Sequence, residues 1–215
     1  MNKLFSVHLF TALFCLALVA LVASVAPLAN SQPTNAQARQ EVASEQTLLT
    51  EVMSKLANVK VAKAEFTETR YLKLLVAPVQ STGVLTYTAP DKFEKVTLKP
   101  VEEKMTIAKH LVTLEEPAKG RKNTITPNSF PALSALIDAL RGALSGNPSL
   151  LSETFKIKIE GAASQWKLTL IPKEAVQYGY IHKITVSGKQ DTIDSMEVLQ
   201  ADGDRSVLSM KRAAF

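Results

Sequence analysis

The sequence predicts an α+β protein: a single strongly curved antiparallel sheet that is covered by helices. Three observations predict it. Apolar and polar residues alternate in many short runs after residue 60, one run with helical spacing precedes them, and a second interrupts them midway. Alternation marks strands with one apolar face, and consecutive strands usually become neighbours. Because that face needs cover, the helical segments are expected to supply it.

The first helix is predicted from about residue 40 to residue 56. Apolar residues recur there at the spacing of a helix, so they form a single stripe. The stripe consists of Leu48, Leu49, Val52, Met53 and Leu56. We expect it to face the sheet.

A long strand follows this helix. The residues of one parity are Ala62, Ala64, Phe66, Glu68, Arg70, Leu72 and Leu74. Glu68 and Arg70 therefore share a face with Phe66, and they lie either at the rim of the sheet or around the mouth of a cavity. Pro78 is expected to end the strand, since proline cannot donate to a ladder. Further strands are predicted near residues 81–89, 92–99, 103–109, 111–116 and 121–126.

The second helical segment lies in the middle of the chain. Ser129-Phe130-Pro131 is typical of a helix start with proline in the first turn, and Gly146 suits the end of the helix. Its apolar residues have helical spacing and are Leu133, Leu136, Ile137, Leu140 and Leu144. This stripe is either fixed core or the face of a lid that lifts off the sheet. A short helix can follow over residues 148–153.

Strand patterns return in the last third of the chain. They lie near residues 155–159, 166–170, 184–186 and 196–198. Asp202-Gly203 predicts a two-residue hairpin that leads into a last strand over residues 205–210. Trp166 is expected to anchor the core, and its indole N–H needs a partner, which favours a position at the edge of a cavity.

The N-terminal residues predict export. Lys3 gives a positive start, residues 4–26 carry no charge, and Ala36-Gln37-Ala38 is a small-residue cleavage site. These features are typical of a secretory signal peptide. We therefore expect residues 1–38 to be a signal peptide with a spacer and residues 39–215 to be one mature domain in the periplasm. The alternative is that residues 4–26 remain as a membrane anchor, because roughly 20 apolar residues can span a bilayer.

Composition and motifs argue against catalysis. Cys15 is the only cysteine and lies in the predicted signal peptide, so the mature chain would have no disulfide, thiolate metal site or cysteine nucleophile. His110 and His182 lack the spacing of metal ligands and are expected on strand surfaces. We therefore expect no enzyme activity, no cofactor and no metal. The net charge of +5 comes without a clustered basic face, which argues against nucleic-acid binding.

Residues 66–100 resemble a known family. Phe66-Thr67-Glu68, Gly83-Val84-Leu85 and Ala89-Pro90, with Phe93 after them, resemble the opening hairpin of the periplasmic outer-membrane lipoprotein carrier (LolA-like) family, in a divergent branch. The resemblance implies an open half-barrel with a helical lid. In that family an arginine precedes the proline and latches the lid, but here that position is Ala89. The cargo therefore stays open: a lipoprotein, a glycolipid or another acylated product.

The resemblance implies a periplasmic carrier that binds acyl chains in a hydrophobic cavity and moves the cargo from the inner towards the outer membrane. The expected partners are the acylated cargo, an inner-membrane exporter as donor and an outer-membrane acceptor, with the carrier a monomer. Glu68 and Arg70 are the candidates for contacting a headgroup. The residues expected to bind lipid are Phe66, Glu68, Arg70, Leu72, Leu85, Tyr87, Leu133, Leu136, Ile137, Leu140 and Trp166. Two alternatives remain: a lipid-sensing domain that signals to a membrane partner, and a periplasmic enzyme that acts on lipids.

Overall fold

The computed structural model describes residues 35–109, 111–127, 131–173 and 181–212. The described elements, in chain order, are α1 (Asn35–Ala57), β1 (Val61–Tyr71), β2 (Val79–Thr88), β3 (Lys92–Lys99), β4 (Glu103–Ala108), β5 (Leu111–Glu116), a 3-10 turn (Pro117–Lys119), β6 (Arg121–Ile125), α2 (Pro131–Ser145), α3 (Pro148–Thr154), β7 (Phe155–Ala162), β8 (Gln165–Pro172), β9 (Ile181–Lys189), β10 (Thr192–Gln200) and β11 (Arg205–Arg212).

All strands of the described residues join one antiparallel sheet of 11 strands. Their order is β6-β5-β4-β3-β2-β1-β11-β10-β9-β8-β7, so the first and last strands of the chain pair at its centre. The edge strands β6 and β7 do not pair with each other, which leaves the sheet open. This architecture confirms the predicted fold class.

The first strand is shorter than predicted. β1 ends at Tyr71, whose partner Arg205 is the first residue of β11. Beyond that pair no strand residue remains for Leu72 or Leu74 to bond to, and the backbone turns instead: the N–H of Leu75 donates to the carbonyl of Leu72 at 2.9 Å. The prediction that Leu72 and Leu74 continue the strand was therefore wrong.

The larger apolar core lies between α1 and the C-terminal half of the sheet. The stripe of α1 faces it as predicted, with Leu49, Val52, Met53 and Leu56 buried against β7, β8 and β9. α1 also covers the β7 edge, because the carboxylate of Glu45 accepts a hydrogen bond from the backbone N–H of Ile159 at 2.8 Å. That bond occupies a donor which an edge strand would otherwise leave open.

The smaller core lies under the N-terminal half of the sheet. Ile137 of α2 is buried there with Ile107 of β4 and Val112 of β5. Ala139, two residues further along α2, belongs instead to the larger core. Because α2 and α3 connect the strands at opposite edges of the sheet, they cross its face, and α2 contacts both halves.

The described residues begin inside the predicted leader. α1 starts at Asn35, upstream of the predicted cut after Ala38. Residues 4–26, the alternative membrane anchor, lie outside the described residues. Among the residues that are described, no helix is both long and apolar enough to cross a bilayer.

Candidate functional site

An apolar cavity of about 100 Å³ lies between the sheet and the helices, where the two cores leave a gap. Its apolar lining comes from both halves of the sheet and from α1 and α2. These side chains are Leu56, Val59, Ala62, Ala64, Leu85, Tyr87, Phe93, Ala139, Ala143, Val186, Ile193, Met196, Leu208 and Met210. A cavity with an apolar lining accepts apolar ligands, so it suits hydrocarbon.

The register of the strands explains why these side chains meet. Ala62 pairs with Tyr87, and Tyr87 pairs with Phe93 across the next ladder, so the three form one row on one face of the sheet. The small residues of the lining lie on β1, as Ala62 and Ala64, and on α2, as Ala139 and Ala143. Alanines on facing elements leave unfilled the space that larger side chains would occupy.

One border of the cavity is polar. Lys63, Asp191, Thr192 and Arg212 complete the lining, and all but the half-buried Thr192 are exposed. They lie where β1 begins, where β9 turns into β10 and where β11 ends. This end of the strands is therefore where the cavity meets solvent.

A half-buried polar cluster occupies the same face further along β1. The carboxylate of Glu68 accepts hydrogen bonds from Lys95 Nζ at 2.5 Å, from Ser206 Oγ at 2.7 Å and from Ser81 Oγ at 3.3 Å. The side chains of Glu68 and Lys95 are only 14% and 22% exposed. Lys95 Nζ also lies 5.1 Å from the centre of the Phe66 ring.

Electrostatics keep Glu68 ionised. Burial alone would raise its pKa, but the charge of Lys95, the hydrogen bonds from Lys95 and Ser206, and the charge of Arg70 outweigh burial and lower the pKa below its ordinary value of 4.5. Arg70 thus acts on Glu68 through its field, while Lys95 is the ion-pair partner. A ligand headgroup that binds Glu68 would have to displace bonds that are already made.

Gly83, the glycine of the family motif, is required by the close packing around it. Phe66 on β1 pairs with Gly83 on β2, and a Cβ placed on Gly83 would lie 2.8 Å from a carbon of the Phe66 ring and 1.9 Å from the carbonyl oxygen of Val96. The Phe66 ring therefore needs glycine at this position. This contact links the first two parts of the motif across one ladder.

The structure brings together only part of the predicted lipid-binding set. Leu85 and Tyr87 line the cavity, and the Tyr87 hydroxyl donates to the carbonyl of Pro90 at 3.3 Å. Burial, together with the charge of Asp91, raises the pKa of Tyr87. Phe66 is buried beside the cavity rather than in its lining.

The other members of that set lie elsewhere. Leu72 is half-buried in the loop after β1, Ile137 belongs to the smaller core, and Trp166 is buried in the larger core. The indole N–H of Trp166 donates to the carbonyl of Gln190 at 3.2 Å, which supplies the partner that a buried indole requires. The side chains of Leu133, Leu136 and Leu140 lie outside the described part of the structure, as does His110. His182 is exposed on β9, as predicted.

Arg141 of α2, between the cavity-lining Ala139 and Ala143, makes a contact that the sequence did not reveal. Its guanidinium Nη2 donates to the carbonyl of Lys109, in the turn between β4 and β5. The N–H of Lys109 in turn donates to the carboxylate of Asp91, at the β2–β3 turn, at 3.1 Å. The chain of contacts ties α2 to two hairpins of the sheet, and no local pattern predicts it because the acceptor is a backbone atom 32 residues away.

An open sheet whose helices close over an apolar cavity defines a binding or carrier-type domain. Residues 42–214 match the family model described as outer membrane lipoprotein carrier protein LolA-like. The chain therefore belongs to this family, as the resemblance in residues 66–100 predicted. No curated protein matches the sequence.

Several solved structures are similar in fold. One is a LolA superfamily protein from Nitrosomonas europaea, with 8% identity, a TM-score of 0.44, and coverage of 78% of this chain and 91% of that chain. Another, from Vibrio parahaemolyticus, is a domain named for lipoprotein sorting at the outer membrane, with 11% identity, a TM-score of 0.44, and coverage of 80% and 93%. A third is a complex of MucA and MucB from Pseudomonas aeruginosa, with 14% identity, a TM-score of 0.40, and coverage of 77% and 57%.

Proposed function

We propose that the protein is a periplasmic carrier that binds the acyl chains of a lipoprotein or another lipid in the apolar cavity. It would move this cargo from the inner towards the outer membrane, receiving it from an inner-membrane exporter and passing it to an outer-membrane acceptor. The observation that carries the proposal is the apolar cavity between α2 and the central strands. Membership of the LolA-like family supports it.

Binding by burial needs no cofactor and no reaction. Each methylene removed from water stabilises the complex by about 0.8 kcal/mol. A cavity of about 100 Å³ has room for on the order of seven to ten water-sized groups, since one water needs about 10–15 Å³ by this measure. A longer acyl chain therefore fits only if the helices move away from the sheet.

α2 is the element that would move. Its Ile137 is buried in one core and its Ala139 in the other, so opening exposes apolar surface that the cargo then covers again. Arg141, through its bond to Lys109, would hold the closed position that Ala89 cannot hold. Cargo and closed lid compete for the same surface, which allows the cargo to leave.

The test is a titration of the mature chain, residues 39–215, with a fluorescent fatty acid. We expect one saturable site in the wild-type protein. Ala64→Met fills the cavity from β1 and excludes about two methylenes of the ligand, so the affinity should fall about tenfold. The matched control is Glu65→Met, one residue further along on the opposite, exposed face, which should bind like wild type.

Ala139→Met gives the same test from the side of α2. Circular dichroism and thermal unfolding establish that each variant is folded. If both cavity variants fold and bind the fatty acid with wild-type affinity, the cavity is not the lipid site and the carrier proposal fails.

A further inference from the structure

The loop between β1 and β2 exposes three consecutive large apolar residues. Leu74, Leu75 and Val76 are 69%, 48% and 109% exposed. Isolated exposed apolar residues such as Val61 and Leu111 also occur on this protein and need no explanation. A contiguous apolar patch at the tip of a loop is different, because such patches mark interaction sites.

The loop is held in place by its neighbour, the turn between β10 and β11. Lys73 Nζ donates to the carbonyl of Asp202 at 3.1 Å, and the backbone N–H of Lys73 approaches the Asp204 carboxylate at 3.5 Å. Asp204 is buried, and its own N–H donates to the Asp202 carboxylate at 3.0 Å. The apolar tip thus projects from a fixed base.

The loop itself carries only positive charge, while the acidic residues Asp202 and Asp204 lie at its base. Residues 69–90 contain Arg70 and Lys73 and no acidic residue. At the base of the loop the guanidinium of Arg205 stacks on the ring of Tyr71, with 4.2 Å between the guanidinium carbon and the ring centre. Apolar side chains flanked by an aromatic ring and by cations match the interfacial zone of a bilayer with anionic headgroups.

The size of the patch also favours a membrane over a protein. A stable protein interface buries about 800 Å² on each partner, far more than three side chains at a loop tip supply. A few apolar residues that enter the interfacial layer give weak, reversible binding, which anionic lipids strengthen. We propose that residues 72–78 form a membrane-docking loop for an anionic lipid surface.

The docking loop is separate from the cavity border. Lys63 and Arg212 mark the border at one end of the central strands, while the loop follows the other end of β1. The two ends are roughly 25 Å apart, since a strand rises about 3.3 Å per residue. The inference therefore goes beyond the carrier proposal and can fail independently of it.

The test is co-sedimentation of the mature chain with vesicles of phosphatidylcholine alone or mixed with phosphatidylglycerol. Wild type should bind the mixed vesicles, and salt should weaken this binding. The triple variant Leu74→Ser, Leu75→Ser, Val76→Ser should bind on the order of 100-fold more weakly. The matched control, Val61→Ser with Leu111→Ser, removes two exposed apolar residues from the opposite end of the strands and should bind like wild type.

Fatty-acid titration of the same variants separates the two proposals. The triple variant should retain wild-type affinity for the free fatty acid, because the loop does not line the cavity. The docking proposal is overturned if wild type does not bind vesicles, if the triple variant binds them as wild type does, or if the control loses binding equally. It is also overturned if the loop is required for binding a purified protein partner while no vesicle binding occurs.

Discussion

Two aromatic residues of the sheet each lie against a glycine on the neighbouring strand. Phe66 faces Gly83, and Trp166 faces Gly188, where an added Cβ would come within 2.5 Å of the indole ring. Glycine in a strand is unfavourable unless another group approaches closely. Here the ring takes the place of the missing side chain and covers the backbone. A larger residue in place of either glycine would therefore displace the aromatic ring that faces it.

The ionised carboxylate of Glu68 stabilises the fold through its ion pair with Lys95. Its lowered pKa means that the ionised form stabilises the folded state at any pH above about 4.5 and that this stabilisation is lost as the pH falls through the folded-state pKa. Glu68→Gln should lower the free energy of unfolding at neutral pH by about 1–3 kcal/mol, the usual worth of a hydrogen-bonded charge. Denaturant unfolding of both proteins at several pH values measures this difference.

The difference in the free energy of unfolding between wild type and Glu68→Gln should become smaller below about pH 4.5. Glu65→Gln, at the exposed next position, serves as the control and should differ little from wild type across the range. A difference for Glu68→Gln that stays constant down to the acid end would show that the carboxylate charge is not what stabilises the cluster.

At the scale of elements, α2 is the decisive segment. It connects the two edges of an open sheet and contacts both cores, yet its cavity-facing residues are alanines. A helix that contacts both cores but faces the cavity with alanines loses few contacts there when it separates from the sheet, because alanine has few side-chain atoms. That arrangement suits a lid that is replaced by cargo.

Cross-linking α2 to the sheet tests this role. Ile137→Cys with Val112→Cys links two residues of the smaller core, and the mature chain contains no other cysteine if the leader with Cys15 is removed. Oxidation should hold α2 closed and block uptake of a long-chain fatty acid, and reduction should restore it. Stopped-flow fluorescence measures the uptake rate.

Each single cysteine variant is the control for the loss of side-chain volume. Its rate of fatty-acid uptake should be the same after oxidation and after reduction. A bridge that forms in high yield without slowing uptake would identify α2 as fixed core, and the lid would have to be another segment.

At the scale of the whole molecule, the chain closes on itself at the centre of the sheet. β1 and β11 pair through eight residue partners. Each half of the sheet is a continuous meander, one running from β1 out to the β6 edge and the other from the β7 edge in to β11. The cavity lies across this central seam, with lining from β1 and β11 and from strands on both sides. Neither half of the chain alone would contain the site.

At the same scale, we predict that the protein is exported and its leader is removed. The charged start, the uncharged residues 4–26 and the Ala36-x-Ala38 site lead us to expect cleavage after Ala38. N-terminal sequencing of protein from the periplasmic fraction should begin at Arg39. A membrane-bound product that still begins at Met1 would contradict this and would favour the anchored lipid sensor.

Several elements could be predicted because their signals are local. The stripe of α1 and the bounds of β3 and β5 follow from the spacing of apolar residues, and Gly146 ends α2 with a positive φ of 61°. The end of β1 was wrong because apolar alternation continues past Tyr71, while pairing stops where β11 begins. A strand needs a partner, and alternation alone does not show where that partner ends.

The candidate site was predicted only in part for a similar reason. Leu85 and Tyr87 could be chosen from one hairpin, but Met196, Leu208 and Met210 join them through pairings of residues far apart in the chain. Ala139 and Ala143 matter because of the volume they leave empty, which has no signature in an apolar pattern. Lys95 could not be paired with Glu68 before the β2–β3 register placed it nearby.

The sequence by itself determined the class of fold, the family and the faces of individual elements, because periodicity and turn residues act between near neighbours in the chain. Tertiary structure alone decided which faces meet, where the gap between the two cores falls and that Arg141 reaches the turn at Lys109. These features depend on strand register and on the path of α2 across the sheet. Both are set by many weak contacts between residues far apart in the chain, so no short stretch of the sequence predicts them.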